Sequence, residues 1–292
     1  MASRGNDDLD LDGNWSGGKR RRVAKKRRAC DVEQTVEPEQ PTPKKRKKGG
    51  AVLNAVISSE QPPKTGATAK VLRRWAQTRL ATAWVAEAKA KKLTPIETKE
   101  VSPAAAWFVA CPPVLPLAQL RNWASKEPAF PGSQLLQSLG PGLKSAGQAT
   151  PSTPGAAILV LCASTDRLFA LKADLDASWG IKALALAAHG GGRKRDQVLR
   201  QAKALAAGAT LALATPSRLR RLVEEGHLDL QSTSLLIVDL AHDKKLRDVL
   251  TLQDTRGDFF ALLRTKLTPL LPKKVGDETK KLAFLLCGLE TA

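Results

Sequence analysis

The chain has 292 residues, with 47 Lys and Arg against 28 Asp and Glu, a net charge of +19 and 42% hydrophobic residues. That length and apolar content suffice for a real core, as one large domain or two small ones. The charge excludes an ordinary acidic cytosolic enzyme as the default and points to nucleic acid, a membrane surface or another polyanion.

The charge is spread along the chain: residues 1–50 are net +6, residues 51–154 net +7 and residues 155–292 net +6. No stretch approaches the roughly 18 apolar residues of a membrane span, so no membrane partner is expected. The acidic start, Asp7, Asp8, Asp10 and Asp12 around Leu9 and Leu11, is no signal-peptide core. Cys30, Cys111, Cys162 and Cys287 are far apart, as are His189, His227 and His242. Neither a disulfide framework nor a metal site is expected, and lone thiols fit a reducing compartment.

Residues 1–66 are rich in Gly, Pro and charge, with too few large apolar groups to offset the entropy of ordering them. They read as a disordered basic tail. Two basic runs stand in it: Lys19, Arg20, Arg21, Arg22 with Lys25, Lys26, Arg27, Arg28, and Lys44, Lys45, Arg46, Lys47, Lys48 behind Pro43. Dense cations in extended chain suit the acidic groove of a nuclear import receptor. Nuclear localisation is the expectation.

Residues 67–154 read as a helical and irregular docking segment. Residues 68–92 lack Pro and Gly, and Leu72, Ala76, Leu80 and Ala83 recur at helical spacing beside Trp75 and Trp84. Such a basic helix could lie against RNA or a partner, or cap its own domain. Pro95 and Pro103 end it. Residues 94–155 mix Pro, Gly and short apolar patches, including Trp107, Phe108 and Trp123.

From residue 155 to 292 the pattern alternates. Apolar runs at Ala157–Cys162, Ile181–Ala187, Ala209–Ala214, Leu235–Asp239 and Leu282–Cys287 suit strands buried on both faces. Helical spacing fills Thr165–Ser178 and Arg193–Ala207. A helix opens at Pro216, and helix-like sequence runs through Val249, Phe259 and Leu263. This predicts an α/β fold, a single parallel sheet with helices on both faces.

Ligands in such sheets sit at the carboxyl ends of the strands. Those ends carry Ser164 and Thr165; Gly190, Gly191 and Arg193; Thr215, Pro216 and Arg218; and Asp239, Leu240. Their order and spacing resemble the first RecA-like domain of DEAD-box RNA helicases, whose first three segments hold the RNA backbone. Small residues and a helix N-terminus let N–H groups approach a phosphate, and an arginine adds charge. The resemblance implies RNA binding by these eight residues, Ser164 to Arg218. The chemistry of turnover is missing. Gly140–Ser145 lacks the Gly-Lys-Ser/Thr ending of a phosphate loop. Leu240 stands where the helicases carry the water-orienting glutamate, leaving Asp239 as a possible magnesium partner or a locally paired group. No catalytic residue and no cofactor are therefore expected. Nor is the second RecA-like domain, with its arginine fingers.

A narrower set resembles the Cms-type family. It comprises Leu236–Asp239, the run Asp243-Lys244-Lys245-Leu246-Arg247, then Asp254, Phe259 and Leu262, with Thr215–Leu219, Leu159–Cys162 and Trp107-Phe108 before them. That family consists of nucleolar subunits of the U3-containing 90S pre-ribosome, or small-subunit processome. They are degenerate single-domain relatives of the helicases. This chain departs at Leu240, where the family has tryptophan, and in the insertion at 272–280. The resemblance implies a pseudo-helicase that acts in 18S rRNA maturation. Its partners would be pre-ribosomal RNA or U3 snoRNA and 90S pre-ribosome proteins. Two alternatives stay open: an RNA-dependent ATPase with a degenerate site, and a nuclear nucleic-acid-binding protein outside ribosome assembly.

Overall fold

A computed structural model describes residues 61–63, 66–126, 136, 155–188, 194–242, 247–273 and 282–289. The basic runs at 19–48 lie outside these. At 194 and 195 only the backbone is described.

Five parallel strands form one sheet in the order β2-β3-β1-β4-β5: β1 Ala156–Leu161, β2 Leu184–Leu186, β3 Ala209–Ala214, β4 Leu235–Asp239 and β5 Ala283–Cys287. This is the expected α/β class. The central strands are apolar at every position because both faces are covered. Along β1, Leu159 and Leu161 join one core, while Ile158, Val160 and Cys162 join the other. β2 is three residues long, shorter than the run 181–187 that suggests it. It sits at the sheet edge, and the Ala183 N–H before it donates to Asp176 Oδ1 at 2.9 Å.

The helices divide between the faces as right-handed crossovers require. We number them α1 Ala69–Lys91, α2 Pro95–Lys99, α3 Leu120–Ala124, α4 Thr165–Trp179, α5 Lys194–Ala206, α6 Pro216–Glu224 and α7 Gln253–Leu262. α4, which leaves β1 toward β2, packs Leu168, Leu171 and Leu175 on one face. α5, α6 and α7, which connect strands running the other way across the sheet, pack Val198, Leu205, Leu219, Leu222, Phe259 and Phe260 on the opposite face. The direction of connection therefore reverses between β1 and β4. Such a reversal leaves a crevice at the carboxyl ends of the two strands.

The described residues before the boundary expected at 154/155 pack against the sheet. Leu80, Ala83 and Trp84 of α1, together with Trp107 and Phe108, share one hydrophobic core with β1, β4 and β5. Phe284 of β5 is the ring hub, 6.4 Å from Trp107, 6.2 Å from Phe108 and 6.5 Å from Phe259, centroid to centroid.

Two buried ion pairs of opposite sense fix α1 in place. Arg79 of α1 donates to Asp248 at 2.7 Å, and Glu87 of α1 accepts from Arg256 of α7 at 2.8 Å. Asp248 is further held by the N–H groups of Leu250 and Thr251 and by the Thr251 hydroxyl. Removing one member strands the other charge in the core, which costs about 3–5 kcal/mol. Glu87→Ala is therefore expected to lower stability by about that amount in urea denaturation, and Glu87→Leu combined with Arg256→Met to recover most of it. A loss below about 1 kcal/mol for Glu87→Ala would show that water reaches the Arg256 guanidinium.

Candidate nucleic-acid interface

The crevice between β1 and β4 is occupied by the chain's own side chains. β4 ends in Asp239, whose carboxylate is fully buried on the α4 side of the sheet. The turn after β1 puts Ser164 at the N-cap of α4, where its hydroxyl accepts from the Arg167 N–H at 3.2 Å. That cap fixes the first helical turn and so aims Arg167 back across the strand ends. Arg167 Nε donates to Asp239 Oδ2 at 2.7 Å and Nη2 to Oδ1 at 3.2 Å, a bidentate fork. The Ala241 N–H donates to the same Oδ1 at 3.2 Å. Burial raises the pKa of Asp239, and the Arg167 hydrogen bond and charge oppose that rise.

The neighbours of Asp239 leave no slack. Asp239 pairs with Cys287 across β4 and β5, and one residue past the pair Leu161–Val238 lies Cys162. Burial, then the Asp239 charge, pushes the Cys162 thiol well up; burial and the neighbouring Cys111 do the same to Cys287. These thiols are held as packing groups rather than thiolates. Gly288 follows at φ +83°, and a Cβ there would lie 2.6 Å from Asp239 Oδ1. Only glycine fits both that backbone and that contact. Leu240, the next residue, is buried in the core on the other face.

A second feature was hidden in the sequence. Phe108 pairs in parallel with Phe284, and the Val109 N–H donates to Phe284 O at 2.8 Å. This rudimentary strand beside β5 leads into a turn and then into a 3₁₀ turn at Leu117–Gln119 and α3. Strand, turn and helix is the frame of a phosphate-binding loop, in which backbone N–H groups wrap the phosphates. Here the turn is Pro112-Pro113-Val114-Leu115-Pro116. Three of its five residues have no N–H. Leu115 spends its own on Pro112 O at 3.1 Å. The turn's carbonyls face inward instead: Pro113 O accepts from Leu289 N at 2.8 Å and Leu115 O from Gly288 N at 3.0 Å. The double proline made 108–116 read as irregular, and the one-residue pairing left no alternation to detect.

The residues expected to hold RNA meet in part. Parallel pairing of Leu161 with Ala214 brings Ser164 and Thr165 beside Thr215 and Pro216 on one sheet edge. Thr165 and Thr215 are half-exposed and Ser217 is exposed. Pro216 is buried as the first residue of α6, and Ser164 is occupied as a cap. Arg218 departs from the expectation of a surface cation. It is 5% exposed, with Nη1 lacking a hydrogen-bond partner; burial holds its pKa below the usual arginine range. Gly190, Gly191 and Arg193 lie outside the described residues. Among the described residues, no group of three or more His, Cys, Asp or Glu side chains is placed to hold a metal ion. No described helix is long and apolar enough to cross a membrane. The chain matches no family model, and no curated protein matches it.

The Arg167–Asp239 pair has a pH signature. A buried carboxylate whose pKa is raised above its unfolded value favours the protonated fold, so its cost grows as pH rises through the shifted pKa. Arg167→Ala removes the main opposing influence and moves that pKa further up. The variant is expected to lose about 2–4 kcal/mol near neutrality and visibly less near pH 4. Urea midpoints at the two pH values check this; a pH-independent loss would assign Arg167 to packing alone.

Proposed function

We propose that the chain is a non-catalytic assembly factor of the 90S pre-ribosome, the small-subunit processome. In this reading it serves 18S rRNA maturation in the nucleolus by binding pre-ribosomal RNA or U3 snoRNA and processome proteins. The observation that carries the reading is the bidentate Arg167–Asp239 pair. An arginine occupies the carboxylate that a nucleotide-dependent helicase would offer to magnesium, at the strand ends where a ligand would enter. The proline turn at 112–116 supports it, since the turn presents few N–H groups to a phosphate. So does the net charge of +19, which favours a polyanionic partner. The resemblance to the Cms-type family supplies the particle, and the basic runs at 19–28 and 44–48 supply the address through a nuclear import receptor.

Binding then needs no turnover. Phosphates of an RNA strand meet the edge formed by Thr165, Thr215 and Ser217 and the first turns of α4 and α6. The basic runs add a screened, sequence-independent attraction.

Cross-linking with mass spectrometry on purified early pre-ribosomes tests the placement. The expected result is cross-links from this chain to pre-ribosomal RNA or processome proteins, and its absence from the particle would contradict the proposal. At the edge, Thr215→Asp puts a carboxylate where a phosphate would sit. RNA affinity of the full chain is expected to fall roughly tenfold with an unchanged Tm, more steeply at low salt. Unchanged affinity at every salt concentration would move RNA off this edge.

A further inference from the structure

α1 is packed on one side only. At 100° per residue its buried side is centred on Ala76, Leu80 and Ala83, and the opposite stripe runs through Val71, Arg74, Thr78, Ala81, Val85 and Lys89. Val71 is 48% exposed and Val85 59%, among the few large apolar side chains so exposed in the described residues. A shallow groove of about 560 Å³ lies along the middle of this stripe, lined by Arg74, Gln77, Thr78, Ala81, Thr82 and Val85.

The polar groups in that middle are already turned inward. The Thr78 hydroxyl donates to Arg74 O one turn back at 2.9 Å, and Gln77 Nε2 donates to Pro103 O at 2.8 Å. Between these groups Ala81 and Val85 give the groove an aliphatic centre. Its ends are cationic: Arg74 and Lys89, both exposed, are fifteen residues apart, roughly 22 Å along the axis. α1 carries one carboxylate, Glu87, and that is buried against Arg256. Nothing negative on the helix offsets the outer cations.

We propose that this outer face of α1 docks an acidic amphipathic helix of a protein partner. Apolar ridges of such a helix fill the small-residue groove, and its carboxylates meet Arg74 and Lys89. A nucleic-acid strand is the poorer fit, because the aliphatic side chains of Ala81 and Val85 at the centre offer a phosphate no charge. The proposal goes beyond RNA binding at the sheet edge and depends on none of the edge residues.

The test places a benzophenone amino acid at Val85 of the full chain, and separately at Thr78, in the cells it comes from, with cross-linked peptides mapped by mass spectrometry. The expected target from both positions is one segment of another protein, apolar at i, i+3/i+4 and i+7 and bearing carboxylates. Its yield should fall at least tenfold when Arg74→Glu and Lys89→Glu are combined, with Tm unchanged because both sites are exposed. Cross-links chiefly to RNA, cross-links confined to this chain, or a yield indifferent to the charge reversal would each overturn the proposal. RNA affinity at the sheet edge, measured on the same variant, is expected to stay within the loss that two cations cause by screening alone. That measurement separates failure of this proposal from failure of RNA binding.

Discussion

A carboxylate buried at the end of a central strand needs a positive partner, and the rest of the strand-end architecture follows from which partner it receives. In this chain Asp239 receives Arg167. The arginine is 30% exposed, so it bridges solvent and core while its fork neutralises the acid. To deliver it, the turn after β1 must start a helix at Ser164; to leave room for the Asp239 carboxylate, residue 288 must be glycine. The flanking thiols of Cys162 and Cys287 stay protonated and small. The crevice that a reversal in strand connection opens is thus closed by an internal strut.

The same solution recurs on the other face, where α1 is tied down by Arg79–Asp248 and Arg256–Glu87. Buried pairs of this kind add little net stability over apolar residues but penalise every misplaced arrangement. They suit a helix that must hold one orientation while showing its outer side. The RNA-binding edge and the docking face proposed above would both require a rigid support and no moving part.

Much of this was legible in the sequence. The strands at 156–161, 209–214 and 235–239 stand out because residues buried on both faces leave unbroken apolar runs. α1 stands out by its apolar spacing and lack of Gly and Pro. The strand-end residues Ser164, Thr165, Thr215 and Pro216 can be placed together once the sheet is known to be parallel. What was not legible depends on distance along the chain. Arg167 and Asp239 are 72 residues apart, and Arg79 and Asp248 are 169 apart; no local pattern joins them. Arg218 reads as a surface cation by type, yet its place in the first turn of α6 buries it. The strand at Phe108 has a single paired residue, too short for periodicity to register.

The central claim is that the strand ends bind without nucleotide turnover because Arg167 holds Asp239. Calorimetric titration of the full chain with ATP and magnesium at millimolar concentration tests it most directly. The account predicts no saturable heat from the native chain. Saturable binding that disappears in Asp239→Ala would contradict it, because Asp239 would then be serving a nucleotide and its metal rather than Arg167.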